Sequence, residues 1–168
     1  MRAAEELRYL ILAIQREGNR ILAADLRPLG LTPSQAEVLR VLADFQPLTL
    51  TGLGELLVCE HGTNPSRLVD RLVAAGLVRR ETQVDDRRRV TLSLTTDGER
   101  LTRRIIDTED QLYRTLDALT ADQPVEQALT VLRALAGAFP VANALSRRSQ
   151  RPARTTANPA HIETQSAR

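Results

Sequence analysis

Thr63, Asn64, Ser66 and Arg67 stand almost side by side, and their side chains are of the kinds that read nucleic acid. Hydroxyls and an amide can donate or accept at base edges. A guanidinium offers a planar fork to guanine or to phosphate. Pro65, set among them, suits the first position of a helix, and a helix N-terminus itself favours phosphate. Arg71 lies one turn beyond Arg67 and so on the same face. Asp70 and Arg71 can instead form an ion-paired scaffold that positions the helix, and Arg67 can be a surface arginine lying over it. A second cationic group, Arg87-Arg88-Arg89, follows. Alternation along a strand turns at least one of these outward, where the negative potential of a DNA minor groove attracts arginine. Asp86 beside them is odd in a purely electrostatic contact. It reads as an internal partner that holds the tip and orients an arginine. Arg79 and Arg80 read as split, one towards phosphate and the other towards solvent or an acid. Arg103 and Arg104 read as a solvated helix face.

Other chemistries find little support. There is no G-x-G-x-x-G, no Gly-rich phosphate loop and no Ser-His-Asp arrangement, so no catalytic residue is named. The paired acids Asp85 and Asp86 sit on an exposed tip, a poor place to raise a carboxylate pKa. Cys59 is the one thiol and the one candidate for redox chemistry. A free cysteine is more often a small buried hydrophobe, and Glu60 beside it works against a thiolate. Cys59, Glu60 and His61 fall short of the four ligands of a stable zinc site. No metal or cofactor is expected. Tyr9 and Tyr113 could line a ligand cavity, with packing in core or surface as the plainer role.

The elements that must position these residues are mostly helical. Leu7, Leu10, Ile11, Ile14, Ile21 and Leu22 recur at helical spacing over about 3–26, and Pro28 and Gly30 end that helix. Thr32-Pro33-Ser34-Gln35 is a capping box for a second helix through Val38, Leu39 and Leu42. Thr49 caps a short third, with Leu53, Leu56 and Leu57 inward. His61-Gly62 makes a turn. Thr63 or Asn64 caps a fourth helix, with Leu68, Val69, Leu72 and Val73 buried, and Gly76 with Leu77 closes it. Residues 77–82 and 90–94 make a hairpin, with Val90–Leu94 alternating as a half-exposed strand. Thr96-Asp97-Gly98-Glu99 offers a second capping box. Beyond it Leu101, Ile105, Thr108, Leu112, Leu116 and Leu119 form a seam suited to a partner helix. A last helix starts near Asp122, carries Val125, Leu129, Leu132, Ala136 and Phe139, and is kinked or stopped at Pro140.

The 168 residues fit one domain. Aromatic residues are 2% of the chain, so the core must be Leu, Ala, Val and Ile. All 23 basic residues are Arg, and the net charge of +2 hides segregation. Residues 60–105 carry ten Arg against seven acids, 106–145 two against six, and 146–168 five against one. The last segment, rich in Ser, Thr, Pro and Ala, is expected to be disordered. It reads either as a solvated tail or as a source of non-specific attraction to nucleic acid. The apolar run Tyr9–Ile14 is too short for a secretory signal or a membrane span, so a cytoplasmic, nucleoid-associated protein is expected, with no membrane partner.

Two short helices, a turn, a polar-headed helix and an Arg-tipped hairpin describe a winged helix-turn-helix. The chain resembles the MarR family of transcriptional regulators in Leu31–Leu39, in Asn64–Leu72, in Gly76–Arg80, in Asp85–Arg88 and in Val90–Thr95 running on to Gly98. It departs from the family at Pro65, where a β-branched residue is usual, and at His61-Gly62-Thr63. The resemblance implies a mainly α fold with a small β-hairpin wing. It places a winged-helix domain at 1–145, with a DNA-binding core at about 31–100 and dimerisation helices at about 3–27 and 97–145. A disordered basic tail takes up 146–168. It implies a homodimer that binds a palindromic operator in double-stranded DNA, commonly as a repressor released by a small-molecule effector or by thiol oxidation. Thr63, Asn64, Ser66 and Arg67 fall on its base- and phosphate-contacting positions, Arg88 on its minor-groove wing arginine and Asp86 on its wing aspartate. The alternative is a winged-helix module that binds protein and does not read DNA sequence. An enzyme is not expected.

Overall fold

The computed structural model describes residues 1–58, 65–82 and 90–150. The chain opens with α1 (Ala3–Leu26) and a 3-10 turn (Arg27–Leu29), which Gly30 closes in the left-handed region at φ 71°. Helix α2 (Pro33–Phe45) begins on the capping box expected at Thr32: its hydroxyl accepts from the Gln35 amide, and the Gln35 side chain accepts from the Thr32 N–H at 3.0 Å. A two-residue strand β1 (Leu48–Thr49) leads into α3 (Leu50–Gly54), capped by Thr49 as its position suggested. Then come α4 (Pro65–Ala74), β2 (Val78–Thr82), β3 (Val90–Leu94) and the 25-residue α5 (Thr96–Thr120). The chain finishes with α6 (Val125–Gly137) and α7 (Val141–Ser149).

The sheet has three antiparallel strands in the order β1-β3-β2, with Leu48 opposite Leu92 and Val78 opposite Leu94. The hairpin is therefore joined by a third strand, and β3 lies in the middle. That corrects the half-exposed reading of Val90–Leu94: Thr91, Leu92, Ser93 and Leu94 are all buried. A central strand is covered along both edges, and the polar pair survives there because each hydroxyl finds a partner. Thr91 donates to the Glu81 carbonyl, and Ser93 accepts from Arg79.

Leu26, Leu39, Leu42, Leu53, Leu72, Leu92 and Ile105 are fully buried and tie α1, α2, α3, α4, the sheet and α5 into one aliphatic core. Each is worth roughly 1.5–3 kcal/mol over an exposed side chain. The start of α5 departs from expectation by one residue. Thr95, not Thr96, is the N-cap, and its hydroxyl accepts from the Gly98 N–H at 3.0 Å. The third helical residue is then Gly98, so no capping box forms. The same hydroxyl donates to the Gly76 carbonyl at 2.7 Å, which fixes the choice of Thr95.

The helix is broken at Pro140 as expected, α6 ending at Gly137, but a further helix follows. Pro140 is the N-cap of α7, which crosses the point at Ser146 where a disordered tail was expected. Arg147 and Arg148 lie in its last turn and pair with acids on the lobe around α2 and α3. These distant partners order a stretch whose composition alone would not. Residues 151–168 lie outside the described residues.

Candidate nucleic-acid interface

Helix α4 is sorted cleanly into two faces. Leu68, Val69 and Leu72 are buried against the core, with Val73 partly so, while Arg67, Asp70 and Arg71 are exposed and Ser66 is partly exposed. Apolar residues at this spacing press one side of the helix into the domain and turn the other outward. Pro65 is its first residue, as expected. Its far end is a Schellman motif. The Leu77 N–H donates to the Leu72 carbonyl and the Gly76 N–H to that of Val73, both at 2.9 Å, with Gly76 at φ 70°.

The outward face is braced from the sheet. Asp70 pairs with Arg80 of β2 at 2.5 Å, so its partner is across the gap and not the neighbouring Arg71. Arg79 takes Ser93 at 3.1 Å and Glu81 at 2.9 Å. Arg79 and Arg80 thus both have acids of this chain as partners. Arg103 and Arg104 are exposed on α5, as read from the sequence. Thr63, Asn64, the turn at His61-Gly62, Cys59, Asp86, Arg87 and Arg88 lie outside the described residues. The structure therefore brings together Pro65, Ser66, Arg67 and Arg71 of the expected set.

Sequence reasoning missed two ionic ties behind this helix. Glu37 of α2 is buried, and its Oε1 accepts from the Val58 N–H at 2.8 Å and from Arg148 Nη1 at 2.7 Å. Arg40 pairs with Glu109 of α5 at 2.9 Å. Burial holds the Glu109 carboxyl above its ordinary range, and Arg40 and then Arg148 offset only part of that. Burial, and then the charge of Glu109, also push the Tyr113 hydroxyl up. The one local clue was an acid, Glu37, inside the apolar run Ala36–Leu39. Its partners lie 21 and 111 residues away.

The lobe formed by α1 and α6 looks different. Leu10, Leu12, Ile14, Val131, Leu132 and Leu135 are 40–68% exposed, and α6 has no buried residue at all. Between the two helices runs an apolar groove of about 560 Å³, with Gln15 its one polar lining residue among those described. Tyr9 is half exposed under Arg8, and Tyr113 is half exposed on α5. Among the described residues, no helix is long and apolar enough to cross a membrane, and no cluster of three or more His, Cys, Asp or Glu could hold a metal.

These features are those of a winged helix-turn-helix, and comparison with known proteins agrees. The model of the MarR family matches residues 29–89. The organic hydroperoxide resistance transcriptional regulator of Bacillus subtilis (strain 168) is 31% identical over 107 residues, 64% of this chain and 72% of that protein. The MepR–DNA complex of S. aureus superposes with a TM-score of 0.72 at 25% identity, over 79% of this chain and 97% of that one. A mutant MarR from E. coli, complexed with operator DNA, gives 0.65 at 27% identity, over 80% and 94%. The chain belongs to the MarR family of transcriptional regulators. It is a regulator of transcription and not an enzyme.

Proposed function

We propose that the protein is a homodimeric repressor that binds a palindromic operator and is released by a small-molecule effector. The observation that carries this reading is the two-faced α4, whose buried side locks it to the core while Ser66, Arg67 and Arg71 stand outward. In the DNA-reading role, α4 lies in the major groove with Thr63, Asn64, Pro65, Ser66 and Arg67 towards base edges and phosphates and Arg71 along the backbone. Arg87 and Arg88 reach the minor groove from the wing, with Asp86 orienting them. The neighbours solved with DNA support a DNA-binding role. The apolar groove of α1 and α6 supports the dimer, since a face this large calls for a cover. A second copy supplies one and brings two α4 helices to two half-sites. The protein then acts in the cytoplasm, at the nucleoid.

Selection of bound DNA from a random pool tests the reading. A palindrome should be enriched, and its affinity should fall steeply with salt. Absence of any salt-sensitive sequence preference would overturn it. The same binding assay, repeated with phenolic compounds and with an organic hydroperoxide on the parent and on Cys59→Ser, identifies the trigger. Release by hydroperoxide that Cys59→Ser abolishes would assign the thiol and replace the small-molecule reading.

A further inference from the structure

The buried carboxylate of Glu37 has a place in the geometry that neither core packing nor DNA contact explains. It is 7% exposed, between Ala36 and Val38 on α2. A carboxylate this deep needs donors, and two that Glu37 takes lie far apart in the chain. One is the backbone N–H of Val58, the last described residue before the stretch that leads to Pro65 and α4. The other is the guanidinium of Arg148, in the last turn of α7. Beside it Arg147 pairs with Glu55, the C-cap of α3. Helix α7 is therefore fastened at two successive arginines to α2 and to the segment that joins α3 to α4.

A side-chain oxygen that holds the Val58 N–H anchors the segment that follows α3, at the last described residue before α4. Arg148 in turn fixes the oxygen: a charge-assisted bond of 2.7 Å is shorter and stronger than a neutral one. We propose that Glu37 and Arg148 are positioning residues for DNA reading. Arg148 holds Glu37, Glu37 holds the Val58 amide, and the C-terminal helix thereby anchors the segment between α3 and α4 on the side of α3. Neither residue touches DNA. The proposal rests on the reading of α4 as the helix that enters the groove.

The test measures the Kd of the full-length protein for its selected operator over a range of salt, in the parent and in Arg148→Ala, Arg148→Lys, Glu37→Gln and the double variant Arg148→Ala/Glu37→Gln. Arg148→Ala should weaken binding about tenfold, the scale of one hydrogen bond to a charged group. The slope of log Kd on log salt should not change, because no phosphate contact is lost. Arg148→Lys should restore most of the affinity. The double variant should bind no more weakly than the worse single one. Hydrogen exchange at the Val58 amide should quicken in Arg148→Ala while the core amides of α2 keep their protection. A slope shallower by about 0.9 would make Arg148 a phosphate ligand and overturn the proposal. So would parental affinity in Arg148→Ala, or faster exchange throughout α2. Arg148 is on the last turn of α7 and one-third exposed, so its variants carry the test even where Glu37→Gln folds poorly. A parent without operator preference would instead sink the reading of α4, and this proposal with it.

Discussion

Gly98 packs directly on the carbonyl of Leu77. A Cβ at position 98 would overlap that oxygen and stand 3.0 Å from the carbonyl carbon. The obstacle is backbone, and it is held in place, because the Leu77 oxygen also accepts from the Thr95 N–H at 3.1 Å. Gly98→Ala therefore has to push α5 away from the start of the hairpin. The expected loss is about 1–3 kcal/mol of unfolding free energy, the usual range for overpacking. Thermal unfolding followed by circular dichroism would show a lowered midpoint. An unchanged midpoint would mean that α5 shifts freely at its first turn.

The α4 face and the wing should fail in different ways. Arg67→Ala is expected to relax base preference at one operator position by about 1–3 kcal/mol. Arg88→Ala is expected to weaken all sequences alike and to reduce the salt slope by about 0.9. Competition binding against a panel of single-base operator variants separates the two. If Arg67→Ala lost affinity uniformly, it would be a backbone contact and not a reader.

The groove between α1 and α6 predicts oligomeric state. Ile14 lines it and is 68% exposed. Ile14→Glu would set a carboxylate into an apolar interface, at a cost no partner repays. Sedimentation should show a dimer for the parent and a monomer for the variant. Operator affinity should fall by about a hundredfold or more as the second half-site is lost. A dimer of undiminished strength would place the interface elsewhere.

Glu109 gives stability a specific pH dependence. Its carboxyl is held above the usual value of 4.5, chiefly by burial against α2. The folded state then binds the proton more tightly than the unfolded chain does. The resulting stabilisation is complete below the unfolded pKa and is lost as pH rises through the folded one. Subtracting the stability of Glu109→Gln from that of the parent should give a difference that shrinks as pH climbs above 4.5. Denaturant titrations at several pH values measure it, and a difference that grew with pH would mean that the Arg40 pair outweighs burial.

Much of this architecture was legible because its signals are local. The capping box at Thr32 and Gln35, the cap at Thr49 and the stop at Gly76 each lie within a few residues of what they control. The two faces of α4 follow from the spacing of Leu68, Val69 and Leu72. What was missed is non-local. Strand β1 is two residues long and exists because β3 lies alongside it. Thr95 and Thr96 are equivalent as caps until the Gly76 carbonyl comes near one of them. The last turn of α7, from Ser146 on, has a polar, arginine-bearing sequence that reads as tail. Glu55 and Glu37, far back in the chain, give its arginines something to hold.

The hydroxyl of Thr95 joins two helices with one atom, accepting from the first turn of α5 and donating to the residue that closes α4. It sets the base of α5 against the end of α4. A 25-residue helix is about 38 Å long, so a tilt too small to see at its base becomes a wide swing at its tip. The placement of the far end of α5 therefore depends most strongly on this one threonine.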